Sequence, residues 1–530
     1  MAFINNIVGF VKKSVFAKIG KSDTVNMLVE SKDQSEHGFT MMLRPMPGYK
    51  LVSDKLSGAP QGMYRCSRAY DGKPGVYGVW GRKLYYIDGV QPFEIGTIAG
   101  SGNVTFCETS GYGHNHVHLV LCDGVNLYCV DTELEPVMQS EYFLKHSPIS
   151  LPYSYPDSRE TRIRPSWIAY LYGYLVVGAE GTDIFYTSYQ YPFEQSDERG
   201  RINYDIFDLK NTDYDPRPGH ESEHTGYGYG HFNMSEWQPD NTVAGCSNGS
   251  RMFTIGERSF QVFAFQNSKE IPFASPDTAS QAIGIRTKGS LAQFGSNIFW
   301  LGSADMGGNT VYTMGPDASP QRISTDEIEK MISGYEKDSC KAFCMRVGSH
   351  PLYVMSFPAD NVTLAYQISE GGWIRLSSSD KSGREKSYRY SNAVVNRYDA
   401  LWLQGDGVLV EATEEDWYEH DGNPITRRRV GGVISSDHKP FKVNKVEVLT
   451  NNGDYKNYVG VPAKVFMRYS RDGVTFKSLS TKSLGRAGQY GYDVKFRNLG
   501  KSTEFVIELS SCDNVPFALY GIDLEAIKTN

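Results

Sequence analysis

Three imidazoles at alternate positions, His114, His116 and His118 in "GYGHNHVHL", are the densest run of potential chemistry in this 530-residue chain. On a strand, residues two apart share a face, so the three could converge. A zinc site needs two or more imidazoles converging, usually with a carboxylate or thiolate nearby, and no second cluster at ligand spacing accompanies them. His220, His224 and His231 lie in a polar stretch of the kind that commonly carries histidines without a ligand. Glycosidase chemistry needs two positioned carboxylates; among 61 Asp and Glu candidates abound, and spacing singles out none. There is no glycine-rich phosphate cradle, no G-x-S-x-G elbow and no H-E-x-x-H. The expectation is a protein that is not an enzyme, with no catalytic, cofactor-binding or metal-binding residue to name and no cofactor.

The remaining reactive or charged groups read as structural. The eight cysteines are expected to be reduced, because Lys12 and Lys13 follow the first apolar residues instead of preceding them, unlike a signal peptide. Cys122 and Cys129 flank one hairpin and could approach across it. Lys plus Arg against Asp plus Glu gives 54 − 61 = −7, whereas a phosphate-gripping protein concentrates basic surface. The one dense basic run, Arg427-Arg428-Arg429, reads as a solvated or salt-bridged strand end. "SRDGVTF", Ser470 to Phe476, resembles the Asp box of sialidases, S-x-D-x-G-x-T-W, but is one residue short; Asp472-Gly473 suffices for a hairpin turn. No run of about 18 apolar residues is present, so no membrane span is expected.

These groups need a scaffold, and the turns indicate which. "YGVWGRKLYYIDG" is a hairpin turning at Gly81-Arg82, and six more follow, with tips near 123, 180, 256, 307, 360 and 406. Most steps match the ~40 to 50 residues of a propeller blade. Two longer steps hold insertions near 132–164 and 191–241, the latter rich in Tyr, His and Pro. After "DGNPITRRR", about 105 residues alternate polar and apolar at period two, which suits a small antiparallel sandwich. The fold class expected is therefore all-β: a β-propeller of about seven blades with a C-terminal antiparallel β-sandwich-like domain. The divisions expected are an opening segment 1–50, a propeller 51–424 and a sandwich 425–530. Helices are expected only in "FINNIVGFVKKSVFAKI" and in "STDEIEKMIS", where Ser324 or Thr325 caps.

The order of "VNMLVESKD", "LRPMPGYK", "LYGYLVVGAEGTDIFYTS", "RMFTIGERSFQVFAF", "STDEIEKMISGY", "RYSRDGVTF", "YDVKFRNLG" and "LYGIDLEAI" resembles the packaged-DNA stabilisation proteins of short-tailed phages, also called tail accessory or nozzle proteins. The resemblance implies a virion tail component made in the host cytoplasm: a homohexamer below the head-to-tail adaptor, meeting a tail needle or other plug and tail spikes or fibres. DNA would pass through without sequence-specific binding, for which an acidic chain is suited. A carbohydrate-binding or carbohydrate-active propeller is the alternative reading. The 191–241 insertion departs from the family pattern and is expected to be an assembly surface. Its Tyr204, Tyr214, Tyr227, Tyr229 and Trp237 are residue types enriched at interfaces, each contributing ~1.5 to 3 kcal/mol when well buried.

Overall fold

The computed structural model describes residues 2–4, 7–13, 21–31, 41–89, 91–110, 117–152, 154, 161–188, 190, 192–193, 206–207, 232–234, 239–266, 272–276, 280–303, 308–381, 384–436, 439–455, 462–477 and 479–528. The chain divides into two compact units: Val52–Arg322 with Tyr390–Leu409, and Met1–Leu51 with Ile323–Arg389 and Val410–Asn530.

In the first unit, antiparallel sheets follow one another along the chain. Sheet 1 comprises Pro60–Cys66, Gly75–Trp80, Lys83–Asp88 and Gln91–Thr97. Sheet 2 has three strands, Thr105–Ser110, Val117–Cys122 and Leu127–Asp131; helix α1 (Pro136–His146) and a single bridge from Ile149 to Leu127 follow it. Sheet 3 runs Pro165–Leu171, Tyr174–Ala179, Ile184–Thr187 and then Phe232–Met234. Its last strand therefore comes from inside the stretch expected to lie outside the blades. Sheet 4 is Thr242–Asn248, Arg251–Gly256, Phe260–Phe265 and Phe273–Ala274, and sheet 5 is built on Asn297–Ser303 and Val311–Met314.

The first strands of successive sheets lie side by side: Asn392–Val395 beside Pro60–Cys66, then Thr105–Ser110, Pro165–Leu171 and Thr242–Asn248. Apolar side chains fill each space between sheets. Trp80 and Met63 meet Trp402 and Leu409; Leu84 and Tyr86 meet Leu119 and Leu121; Val120 and Cys129 meet Ile168 and Val177; Trp167 and Phe185 meet Met252 and Phe263. Face-to-face packing of small meander sheets is propeller construction.

Two further sheets have the same design. Sheet 6, in the second unit, is Lys341–Val347, His350–Phe357, Val362–Gln367 and Gly372–Ser379. Sheet 7 is Asn392–Val395, Leu401–Gly405 and Val408–Thr413, completed by Gly48–Ser53 from much earlier in the chain. Each hairpin read from the sequence is the middle pair of four neighbouring strands in one sheet, except in three-stranded sheet 2, where it is the second and third strands. The turns explain why: Gly81 and Arg82 hold φ of 53° and 70°, the type I′ pattern that matches strand twist. A Cβ on Gly81 would come 2.4 Å from the Ser57 carbonyl. The tip near 307 lies outside the described residues.

The rest of the second unit is a sandwich. One sheet is ordered Met27–Ser31, Met41–Pro45, Leu519–Lys528, Phe441–Thr450, Val494–Ser502, with Ala2–Ile4 also on Leu519–Lys528. The other is ordered Lys21–Val25, Arg427–Val430, Glu504–Ser511, Lys464–Ser470, Ser480–Ser483. Val443, Val446 and Val448 from the first pack in one core with Val465, Met467 and Leu509 from the second. Lys21–Val25 also joins this second sheet to sheet 6, parallel to Gly372–Ser379. Residues 1–50 are thus no separate opening segment, because their strands complete sheets begun by residues 425–528. Of the opening "FINNIVGFVKKSVFAKI", the described residues do not form the expected helix: Phe3 and Ile4 belong to strand Ala2–Ile4, and Lys12–Lys13 is a strand, while residues 5, 6 and 14–19 lie outside the described residues. Helix α2 (Asp326–Ser333) forms as read, with Thr325 Oγ1 accepting from the Ile328 N–H and Ile328 and Ile332 buried.

Candidate functional site

Most groups that promised chemistry are engaged in holding the fold. His118 is buried, 3.9 Å from Asp131 opposite it in the adjacent strand and stacked on Phe193 with ring centroids 5.2 Å apart. His114, His116, His220, His224 and His231 lie outside the described residues. Cys122 and Cys129 are free and buried, offset by two register pairs, since Cys122 faces Leu127 and Cys129 faces Val120. Burial pushes the two thiols up to about 11 and about 12, which leaves them protonated and unreactive at neutral pH. Asp472 Oδ1 accepts from the backbone N–H groups of Val474 and Thr475 and from Ser470 Oγ. Those bonds hold its carboxyl well below the usual carboxylate range, and they account for the Asp-box-like turn without any ligand.

The arginine run is a strand, Arg427–Val430. Arg428 is salt-bridged as expected, to Glu385 at 3.0 Å and Asp23 at 3.4 Å. Its neighbours are not solvated: Arg427 and Arg429 are 0 % and 3 % exposed. Alternation on the strand turns both inward, where they serve as donors. Arg427 Nη2 donates to the carbonyls of Met46 and Trp417, both at 3.0 Å. Arg429 donates to the Ile7 and Phe10 carbonyls and to Thr24 Oγ1. Burial lowers both guanidinium groups to about 10, so they remain charged at neutral pH.

Tyr204, Tyr214, Tyr227, Tyr229 and Trp237, the expected assembly residues, also lie outside the described residues. Of the same insertion, Phe193, Ile206 and Phe207 are buried in the cluster shared by sheets 2 and 3. At these points it folds onto its own sheets.

A feature that the sequence did not announce is a cleft of about 850 Å3 in the second unit. Trp417 lines it, fixed by Asn514 Oδ1, which accepts the Trp417 backbone N–H at 2.6 Å, and by Arg427, whose guanidinium lies 5.3 Å from the ring centroid. Tyr455 lines it too, its hydroxyl donating to the Leu484 and Gly485 carbonyls. Tyr520 stands between Asp454 and Glu30; burial first, then those two charges, raise its pKa. Glu414, paired with Arg44, and Glu415 complete the acidic wall. No periodic motif marks these positions, because they come from four separate stretches of chain.

Residues 224–411 match the model of a family described as bacteriophage P22 Gp10, beta-propeller. That span runs from the last strand of sheet 3 into the third strand of sheet 7. No curated protein matches the chain. Among solved structures, the chain is similar to the extracellular domain of the hybrid two-component system BT4673 from B. thetaiotaomicron, at 11% identity and TM-score 0.36, over 69% of this chain and 39% of that one. It thus spans about two fifths of that structure. It is also similar to BBS1N in complex with ARL6DN, at 11% identity and TM-score 0.40, over 69% and 95%. The WD40 beta propeller domain of Doa1 matches at 9% identity and TM-score 0.32, over 69% and 96%.

Proposed function

We propose that this chain is a structural, non-enzymatic component of a phage tail, a nozzle that assembles as a hexameric ring below the head-to-tail adaptor. In that place it retains packaged DNA, completes the tail tube and lets DNA pass on ejection. The observation that carries the reading is the match of residues 224–411 to the bacteriophage P22 Gp10 propeller family, over the stretch that contains sheets 4 to 6. Two physical features agree with it. The net charge of −7 disfavours tight phosphate contacts along a conduit. Among the described residues, His118, Cys122, Cys129 and Asp472 are occupied in packing and turns. Tyr204, Tyr214, Tyr227, Tyr229 and Trp237 are proposed to contact other tail components.

The test is the mass of the purified protein alone and with its adaptor, together with electron micrographs of the particle. A ring with a central channel is expected, and heads lacking the protein should leak DNA. A chain that stays monomeric with the adaptor present overturns the reading.

A further inference from the structure

The acidic cleft has a counterpart at the far end of the same sheet. Asn451, Ala518 and Tyr520 line the cleft, where Phe441–Thr450 ends and Leu519–Lys528 begins. At the other end, Lys442 lies directly opposite both Lys501 and Ile527 in the adjacent strands. Directly opposed residues share a face, so Lys501, Lys442 and Ile527 form one row, with Ile527 55% exposed. Exposed Arg497 extends it from the next row, opposite Lys445.

Like charges directly across strands are destabilising. Lys445 and Lys495 on the same sheet are matched by Glu447, Asp493 and Asp523. Among the described residues, no carboxylate pairs with Lys442, Lys501 or Arg497 in the ion pairs of the fold, and none of Glu30, Glu415 and Asp454 has a cationic partner. A surplus of positive charge beside an exposed isoleucine therefore stands about 30 Å, the length of a ten-residue strand, from a surplus of negative charge lined with aromatic rings. Tyr492, 38% exposed, lies at the same end of the sheet, since Asn452 donates to its carbonyl and the adjacent Asn451 lines the cleft.

We propose that the occupant of the cleft is a second copy of this chain: the Lys442–Lys501–Ile527 end of one sandwich docks into the Trp417–Tyr455–Tyr520 cleft of the next. Unlike surfaces at opposite ends of one rigid sheet make a head-to-tail contact, the kind that closes into a ring or runs on as a filament. The cationic stems cover the aromatic rings while their heads meet the carboxylates. This contact rests on the ring reading above and supplies the surfaces for it.

Two charge-reversed full-length variants test it, Lys442→Glu with Lys501→Glu, and Glu415→Lys with Asp454→Lys. All four positions are exposed, so thermal unfolding should match the parent. Particle mass is read by sedimentation across a salt series. Each variant alone should associate at least about tenfold more weakly, as expected when like charges face each other across an interface. An equimolar mixture should reassemble, because each junction then pairs opposite charges. The parent should loosen as salt rises. Variants that assemble like an assembling parent overturn this contact while leaving the ring reading intact. A parent that stays monomeric with adaptor overturns both. Loss of adaptor binding with self-association preserved assigns the cleft to another partner and overturns the proposal.

Discussion

Arg427 and Arg429 carry positive charge into a sandwich core while their hydrogen bonds run to carbonyls and a hydroxyl, not to carboxylates. Their value lies in the number and direction of their N–H groups. Arg429→Leu should lower the free energy of unfolding by about 3 kcal/mol, because several buried acceptors lose a charged donor at once. Urea denaturation measures it, and a loss under about 1 kcal/mol would sink this account. His350 is buried with Nδ1 3.1 Å from Gln367 Nε2. Gln367 also donates to the Val29 carbonyl and accepts from the Val29 N–H, so Nδ1 must remain an acceptor. Burial lowers the His350 pKa, opposed by Glu30 and Glu370 and reinforced by Arg44; burial also lowers His146 and His420. An unfolded histidine takes up its proton near about 6.5, so stability present above that value drains away as pH falls toward the lower folded values. The urea midpoint should decline from pH 7 to 5, and His350→Leu should flatten the decline; an unchanged slope argues against it. The triple arginine was legible as a strand with an ion pair. Its inward members were not, because most of their acceptors, Ile7, Phe10, Thr24 and Met46, lie about 400 residues away in sequence.

The two helices show what periodicity can reveal. Helix α2 buries Ile328 and Ile332, an apolar i, i+4 pair behind a capping threonine, and was readable. Thr325→Ala should cost about 1 kcal/mol. Helix α1 buries Gln139, Phe143 and His146 while exposing Val137, Met138 and Leu144. Its pattern is inverted because Gln139 takes a hydrogen bond from the Tyr77 hydroxyl and donates to the Thr132 and Leu134 carbonyls. Hydrophobic spacing cannot find a helix anchored by an amide. The described part of the opening stretch failed in the opposite sense, its local helical pattern losing to strand pairing, Ala2–Ile4 with Leu519–Lys528 and Lys12–Lys13 with Lys21–Val25. Glycines within strands have their own logic. A Cβ at Gly178 would fall 2.0 Å from Trp167 Nε1, and one at Gly245 2.4 Å from the same ring. Gly178→Ala should therefore destabilise by about 2 kcal/mol through overpacking, with loss of the folded Trp167 fluorescence signal at lower urea. A neutral result would show that the indole can move aside.

Seven hairpins were legible because each is local, a turn residue pair between strands adjacent in sequence. The sandwich was legible only by half. The alternation in residues 441–528 revealed its strands, but nothing near Ala2–Ile4 or Met41–Pro45 foretells that both pair with Leu519–Lys528. That pairing joins strands about 480 to 520 residues apart in the chain. On a ribosome releasing ~5 to 20 residues per second, Ala2–Ile4 waits from about half a minute to nearly two minutes for its partner, and the waiting strands present open edges. A chain stopped after residue 518 should therefore remain protease-sensitive and aggregate, whereas one carrying residues 519–528 should become resistant. Pulse-labelled translation with timed proteolysis separates the two, and early resistance in the shortened chain would contradict the pairing. Seen this way, Leu519–Lys528 is a latch that closes late in synthesis: products lacking it keep the edges of Ala2–Ile4 and Met41–Pro45 open to wrong partners, and only copies that carry it hide those edges before entering an assembly.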